Sequence, residues 1–118
     1  LTHKLKDCIR QHINLQTKEL DDIISFFQPK DLDSGELFSE PGKKCRQMAF
    51  IHTGVLRMYN INEKKEVTLW IGSENSFITD LSSFINQLPA RWFIEAVLPC
   101  RLLVISRENH FALLKQNP

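Results

Sequence analysis

The sequence predicts a mainly-β domain with helices at both ends, and three observations carry that prediction. Between residues 32 and 105 the apolar residues fall in short runs separated by turn signals. That is the pattern of an antiparallel sandwich or barrel, not of a parallel α/β sheet. The first thirty residues instead repeat apolar side chains at helical spacing, and the last dozen do so again after a capping serine. At 118 residues the chain is one domain. It is long enough to bury roughly two-thirds of the surface its unfolded form exposes.

The elements follow in order. Leu5, Cys8, Ile9, His12 and Ile13 mark one helical face, and Leu20, Ile23, Ile24 and Phe27 a second. Thr17 is the expected N-cap of the second helix, with Glu19, Asp21 and Asp22 near its positive end. Pro29 stops the pattern, so 1–29 is read as helical. Strand-like runs then stand at 37–38, 48–51, 55–59, 67–71, 92–97 and 102–105, and 77–78 begins as a buried strand. The breaks between them are Ser34-Gly35, Pro41-Gly42, Thr53-Gly54, 62–65, 72–76 and Pro99. Gly35, Gly42 and Gly54 are read as turn positions needing positive φ or close backbone approach. The closing segment "SRENHFALLKQNP" predicts a helix over 106–116, with Ser106 as N-cap and Phe111, Leu113 and Leu114 as its apolar face.

Composition narrows the function classes. Fifteen Lys and Arg balance fourteen Asp and Glu for a net charge of +1, which leaves no electrostatic footprint for nucleic acid or an anionic membrane. The densest basic cluster, Lys43, Lys44 and Arg46, reads as a solvated turn. No apolar run approaches a membrane span, and no signal-peptide core opens the chain. Three widely spaced cysteines, Cys8, Cys45 and Cys100, argue against a disulfide framework and for a reducing, cytoplasmic setting. They lack zinc or iron–sulfur spacing, and His3, His12, His52 and His110 are scattered, so no metal is expected. No nucleophile elbow and no phosphate-cradling glycine loop is present, so no enzyme is expected.

Three stretches carry a resemblance. They are "SGELFSEPGKKCRQMAFIHTGVLRMYN" (34–60), the charged hairpin "NEKKEVTLWI", and "FITDLSSFINQLPARW" (77–92) followed by "IEAVLPCRLLVISRENHFALL". In this order and spacing the chain resembles the sensor domain of Crp/Fnr-type bacterial transcription regulators, from about residue 23 to 114. The resemblance implies a double-stranded β-helix, a jelly-roll-like β-roll spanning 32–105, of the cyclic-nucleotide-binding type. It also implies that 77–92 is the phosphate-binding cassette. In cAMP-binding members that cassette reads Phe-Ile-Gly-Glu-Leu, a short helix, then an arginine. The helix start and the arginine hold the cyclic phosphate, and the acid accepts from the ribose.

Carried over residue by residue, the ligand-binding candidates are Thr79, Asp80, Leu81, Ser82, Ser83, Ala90 and Arg91, with Leu69 and Trp70 as pocket wall. Thr79 stands where those members have glycine, Asp80 where they have glutamate, and Ala90 where they have arginine. Arg91 comes one residue late, and along a strand that shift turns a side chain to the opposite face. Arg91 therefore has two readings: a phosphate clamp restored by a bulge, or a solvated loop arginine. Asp80 is either the ribose acceptor or the N-cap of a short helix at 81–86, and Thr79-Asp80 before an apolar turn favours the cap. Ser82 and Ser83 donate either to an anion or to local backbone. Trp70, Trp92 and Phe93 sit in core-like runs. Arg57 and Glu66 are placed to pair across the hairpin.

The expected function is effector sensing, with cAMP or another small anionic effector, or none, as the signal. The resemblance implies a dimerisation helix and a DNA-reading helix-turn-helix beyond residue 118, in a homodimeric protein that contacts DNA only through that unit. A cyclic-nucleotide module with another output, and a cupin-like β-barrel enzyme, are the alternatives.

Overall fold

The structure, a computed structural model, describes residues 1–116. Two helices, α1 (His3–His12) and α2 (Thr17–Ile24), precede eight strands. The strands are β1 (Gln28–Leu32), β2 (Leu37–Ser39), β3 (Gln47–Thr53), β4 (Leu56–Asn62), β5 (Lys65–Gly72), β6 (Phe77–Ile78), β7 (Phe93–Ala96) and β8 (Cys100–Ser106). A one-and-a-half-turn helix, α3 (Leu81–Asn86), lies between β6 and β7, and α4 (Arg107–Gln116) follows β8. The strands form two antiparallel sheets of order β1-β8-β3-β6 and β2-β7-β4-β5, the mainly-β roll with flanking helices that the sequence predicts.

Alternation sets the layers. Ala49, Ile51, Ile78, Leu102 and Val104 of the first sheet meet Leu56, Ile94 and Ala96 of the second in the interior of the roll. On the outer face of the first sheet, Phe50 and Leu103 pack beneath Leu5, Leu20 and Ile24 of the two N-terminal helices. The middle of β3 and of β8 is thus buried on both faces, which is why β8 reads as a continuous apolar run.

Three local expectations shift. Helical structure ends at Ile24, and Pro29, read as a helix stop, lies inside β1. That strand is a sheet edge, where a residue without an N–H can sit without breaking a ladder. Helix α2 is capped by Gln16 rather than Thr17, and the Gln16 N–H donates to Glu19 Oε1 at 3.3 Å. Ser106 does cap α4, accepting from the Asn109 N–H at 3.1 Å. The apolar side of α4 is only partly covered by the described residues: Phe111 and Leu113 are half-buried and Leu114 is exposed.

Gly54 has φ +108°, and a Cβ there would lie 2.6 Å from the Pro99 carbonyl oxygen and 2.7 Å from Cys100 Cα. This turn brings two chain segments closer than any side chain allows. Gly35 and Gly42 also have positive φ but stand in open space.

Candidate functional site

Strand β5 is the edge of one sheet and β6 the edge of the other, and the roll is open between them. The seam holds a cavity of about 340 Å³ lined by Met48, Met58, Trp70, Phe77, Ile78, Thr79 and Leu81. Met58 and Trp70 are partners across the β4–β5 ladder, so they share a face. A bulge follows directly: Tyr59 pairs with Thr68, leaving Leu69 unpaired on the β5 side. Leu69 is exposed and is not among the residues that line the cavity, whereas Trp70 is. The Trp70 indole lies against Gly72, where a Cβ would stand 2.8 Å from the ring, so only glycine leaves room for it there. It is 40% exposed, so its place is a cavity wall and not the core.

The cassette residues divide sharply. Thr79 and Leu81 line the cavity. The Thr79 hydroxyl is already engaged: it donates to the Gln47 carbonyl at 2.9 Å and lies 3.4 Å from Cys45 Sγ. Asp80 is 3% exposed and accepts from three backbone N–H groups. Oδ1 takes Ser83 at 3.4 Å, the helix cap; Oδ2 takes Arg91 at 2.8 Å and Trp92 at 3.2 Å. One carboxylate thus starts α3 and pins the loop that returns from it. Ser83 is buried, and its hydroxyl accepts the Cys45 N–H at 2.8 Å. Ser82 is exposed.

The direction of Arg91 is set by its neighbours. The Ala90 N–H donates to the Lys43 carbonyl at 2.8 Å, and the Gly42 N–H donates to the Ala90 carbonyl at 3.0 Å. Held on both sides, Ala90 is buried and Arg91 is exposed. Turning Arg91 inward would break those two bonds and the Asp80 clip together.

Helix α3 is also tied to α4. Arg107 Nε donates to the Phe84 carbonyl at 3.1 Å and its Nη2 to Ile85 at 3.3 Å, satisfying the end of α3. The Phe84 ring, fully buried, meets His110 edge-on at 5.3 Å, and the Arg107 guanidinium lies 4.5 Å over Phe111.

On the outer face of the second sheet, Arg57 reaches Glu66 at 2.7 Å and lies 4.0 Å over the Tyr59 ring. Tyr59 stacks on Phe93 and donates to Glu95 at 2.9 Å. The Arg57–Glu66 pair holds the β4–β5 hairpin; hydrogen bonding to Glu66 raises the arginine's already high pKa. Among the described residues no three His, Cys, Asp or Glu side chains converge as metal ligands, and no helix is long and apolar enough to cross a membrane.

The sequence reading named Thr79, Leu81 and Trp70 for the pocket and read Phe77 and Ile78 as the start of a buried strand, whereas Phe77 is exposed and both line the cavity. Met48 and Met58 were missed. Met58 was reachable as the hairpin partner of Trp70, but only once the bulge fixes the register.

The family model of the cyclic nucleotide-binding domain matches residues 29–117. No curated protein matches the chain in sequence. Among solved structures, the chain is similar to the catabolite activator protein of Thermus thermophilus (TM-score 0.78, 21% identity), covering 87% of this chain and 48% of that one. It is similar to the regulatory domain of Toxoplasma gondii PKA, solved with cAMP (TM-score 0.81, 17% identity; 95% and 44% covered). It is similar also to the sensor domain of the transcriptional regulator DNR from Pseudomonas aeruginosa (TM-score 0.78, 17% identity; 99% and 82%). At these identities the likeness is one of fold, and the chain spans less than half of the first two.

Proposed function

The chain belongs to the cyclic nucleotide-binding domain family, and we propose that within it this is the cytoplasmic effector-sensing domain of a Crp/Fnr-like transcription regulator. A small molecule enters the cavity between β5 and β6, with Thr79, Leu81 and Trp70 as contacts. Asp80, Ser83 and Ala90 act behind them by holding the cassette in shape. The domain itself performs no catalysis. DNA is read by a unit outside residues 1–118, in a homodimer of the intact protein.

The observation that carries this reading is the continuity from cavity to output helix. Leu81 lines the cavity at the first residue of α3, and Arg107 of α4 grips the other end of the same short helix. An occupant that displaces Leu81 strains the Arg107 contacts and so shifts α4, the last described element. The similarity to the DNR sensor domain over 99% of this chain supports a transcriptional output. A kinase-linked output is the second reading, supported by the similarity to the PKA regulatory domain.

The test is gel retardation with the DNA that precedes the protein's own gene. The intact protein is expected to retain that DNA and residues 1–118 alone are not. Arg107→Ala in the intact protein is expected to alter retention without unfolding the roll. Specific retention by residues 1–118, or none by the intact protein under any small-molecule supplement, would sink the regulator reading.

A further inference from the structure

We propose that the cavity between β5 and β6 takes an uncharged, largely apolar aromatic molecule and not a cyclic nucleotide. This deepens, and rests on, the reading of that cavity as the effector site.

The lining makes the case. Six of its seven residues, Met48, Met58, Trp70, Phe77, Ile78 and Leu81, are apolar. The seventh, Thr79, has its only hydroxyl hydrogen committed to Gln47. A bound molecule therefore finds the Trp70 indole N–H as the one side-chain donor of the wall without a partner among the described residues, and most polar groups brought there from water would lose their hydrogen bonds. A phosphate would lose most. The inward position of the cassette is Ala90, and the nearest arginine in sequence, Arg91, is held outward by the Asp80 clip and the two Ala90 backbone bonds. The buried Asp80 carboxylate, between Thr79 and Leu81 in sequence, adds repulsion of a second negative charge.

Size and wall chemistry favour an aromatic body. About 340 Å³ lies at the low end of small-molecule sites, which span about 300 to 1,000 Å³. The indole of Trp70 lies against Gly72, and two thioethers face the same space. Sulfur near a ring edge and offset ring pairs each add favourable contact beyond area burial. The site opens to solvent at the seam of the roll and shares Thr79 and Leu81 with the cassette, so a small molecule can enter without the roll unfolding.

The experiment uses N-phenyl-1-naphthylamine, an uncharged fluorescent probe, with cAMP as the second arm. Trp92→Phe leaves Trp70 as the sole tryptophan and makes its emission a report on the cavity. Saturable one-to-one probe binding that quenches Trp70 is expected, with no change on adding cAMP. Leu81→Asp places a charge at the exposed rim, at a first helical position where an acid is favourable for folding. Gly72→Ala pushes the indole from its seat. Each is expected to weaken the probe by about tenfold or more, equivalent to about 1.4 kcal/mol.

Saturable cAMP binding that displaces the probe would overturn the inference and leave the effector-site reading standing. Binding of neither ligand would overturn both. Probe binding untouched by both substitutions would place the apolar site elsewhere and overturn the inference. So would probe exclusion relieved by diluting the protein, which would assign the cavity to a second copy of the chain.

Discussion

Replacing Asp80 by alanine tests the central structural claim, that one buried carboxylate holds the cassette closed. The side chain is 3% exposed and accepts from Ser83, Arg91 and Trp92 N–H groups at 3.4, 2.8 and 3.2 Å. Loss of the helix cap costs about 1 kcal/mol. The two shorter bonds go to a charged acceptor, for which about 1.5 kcal/mol each is the low end. That low end is appropriate because Arg91 is exposed and water can reach its N–H in the variant. The sum is about 4 kcal/mol, or about 3 once water replaces part of the loss. For a domain whose whole stability is about 5–15 kcal/mol, this is a large fraction. With a urea slope near 1.5 kcal/mol/M, the midpoint falls by about 2 M. Asn at the same position keeps one carbonyl oxygen but turns a donor toward one of the N–H groups, so it should fall between wild type and Ala. The assay is urea unfolding followed by far-UV circular dichroism, with hydrogen exchange at Arg91 and Trp92 as the local readout. A loss under about 1 kcal/mol, or unchanged protection of those two amides, would refute the account.

The remaining predictions are narrower. Gly54→Ala, with its Cβ 2.6 Å from the Pro99 carbonyl, should cost about 3 kcal/mol or more, while Gly42→Ala, at similar φ but in open space, should cost only about 1–2; thermal unfolding separates them. Burial, then the positive charge of Lys4, lowers the pKa of His52, whose Nδ1 has no hydrogen-bond partner. The unfolded chain therefore binds a proton first. The stability contribution is complete above the unfolded value of about 6.5 and is lost as pH falls from there through the depressed folded value. His52→Gln should flatten that part of a stability–pH curve measured by urea midpoint. Burial raises the pKa of Cys100, whose single S–H lies within reach of the Leu98 and Val55 carbonyls, and Cys45 is also buried. Brief iodoacetamide treatment of the native protein should therefore modify Cys8 well ahead of the other two, as read by peptide mass mapping.

Much of the architecture was legible without coordinates because it rests on local periodicity. The helical faces at Leu5–Ile9 and Leu20–Ile24, the switch to short runs, the turn glycines and the Ser106 cap each depend on residues within a few positions of one another. Asp80 was readable as a cap for the same reason, since its partner Ser83 is three residues on. The alanine at position 90 was also readable, but the period of a strand left both faces open to Arg91.

What sequence could not supply depends on partners far along the chain. Pro29 reads as a helix stop until Leu103 is seen beside it, making an edge strand of the segment. The second role of Asp80 needs N–H groups eleven and twelve residues away, and the orientation of Ala90 needs the turn at Gly42 and Lys43. The Met58–Trp70 pairing requires the bulge at Leu69, and whether Trp70 is core or wall depends on which strand lies opposite. Residue spacing determined the fold class and the elements, because hydrophobic period and turn chemistry act locally. The place of the cassette came from the resemblance of whole motifs. Only the tertiary structure decided that the cavity is apolar and the arginine outward, because those depend on long-range hydrogen bonds that choose one face of the chain over the other.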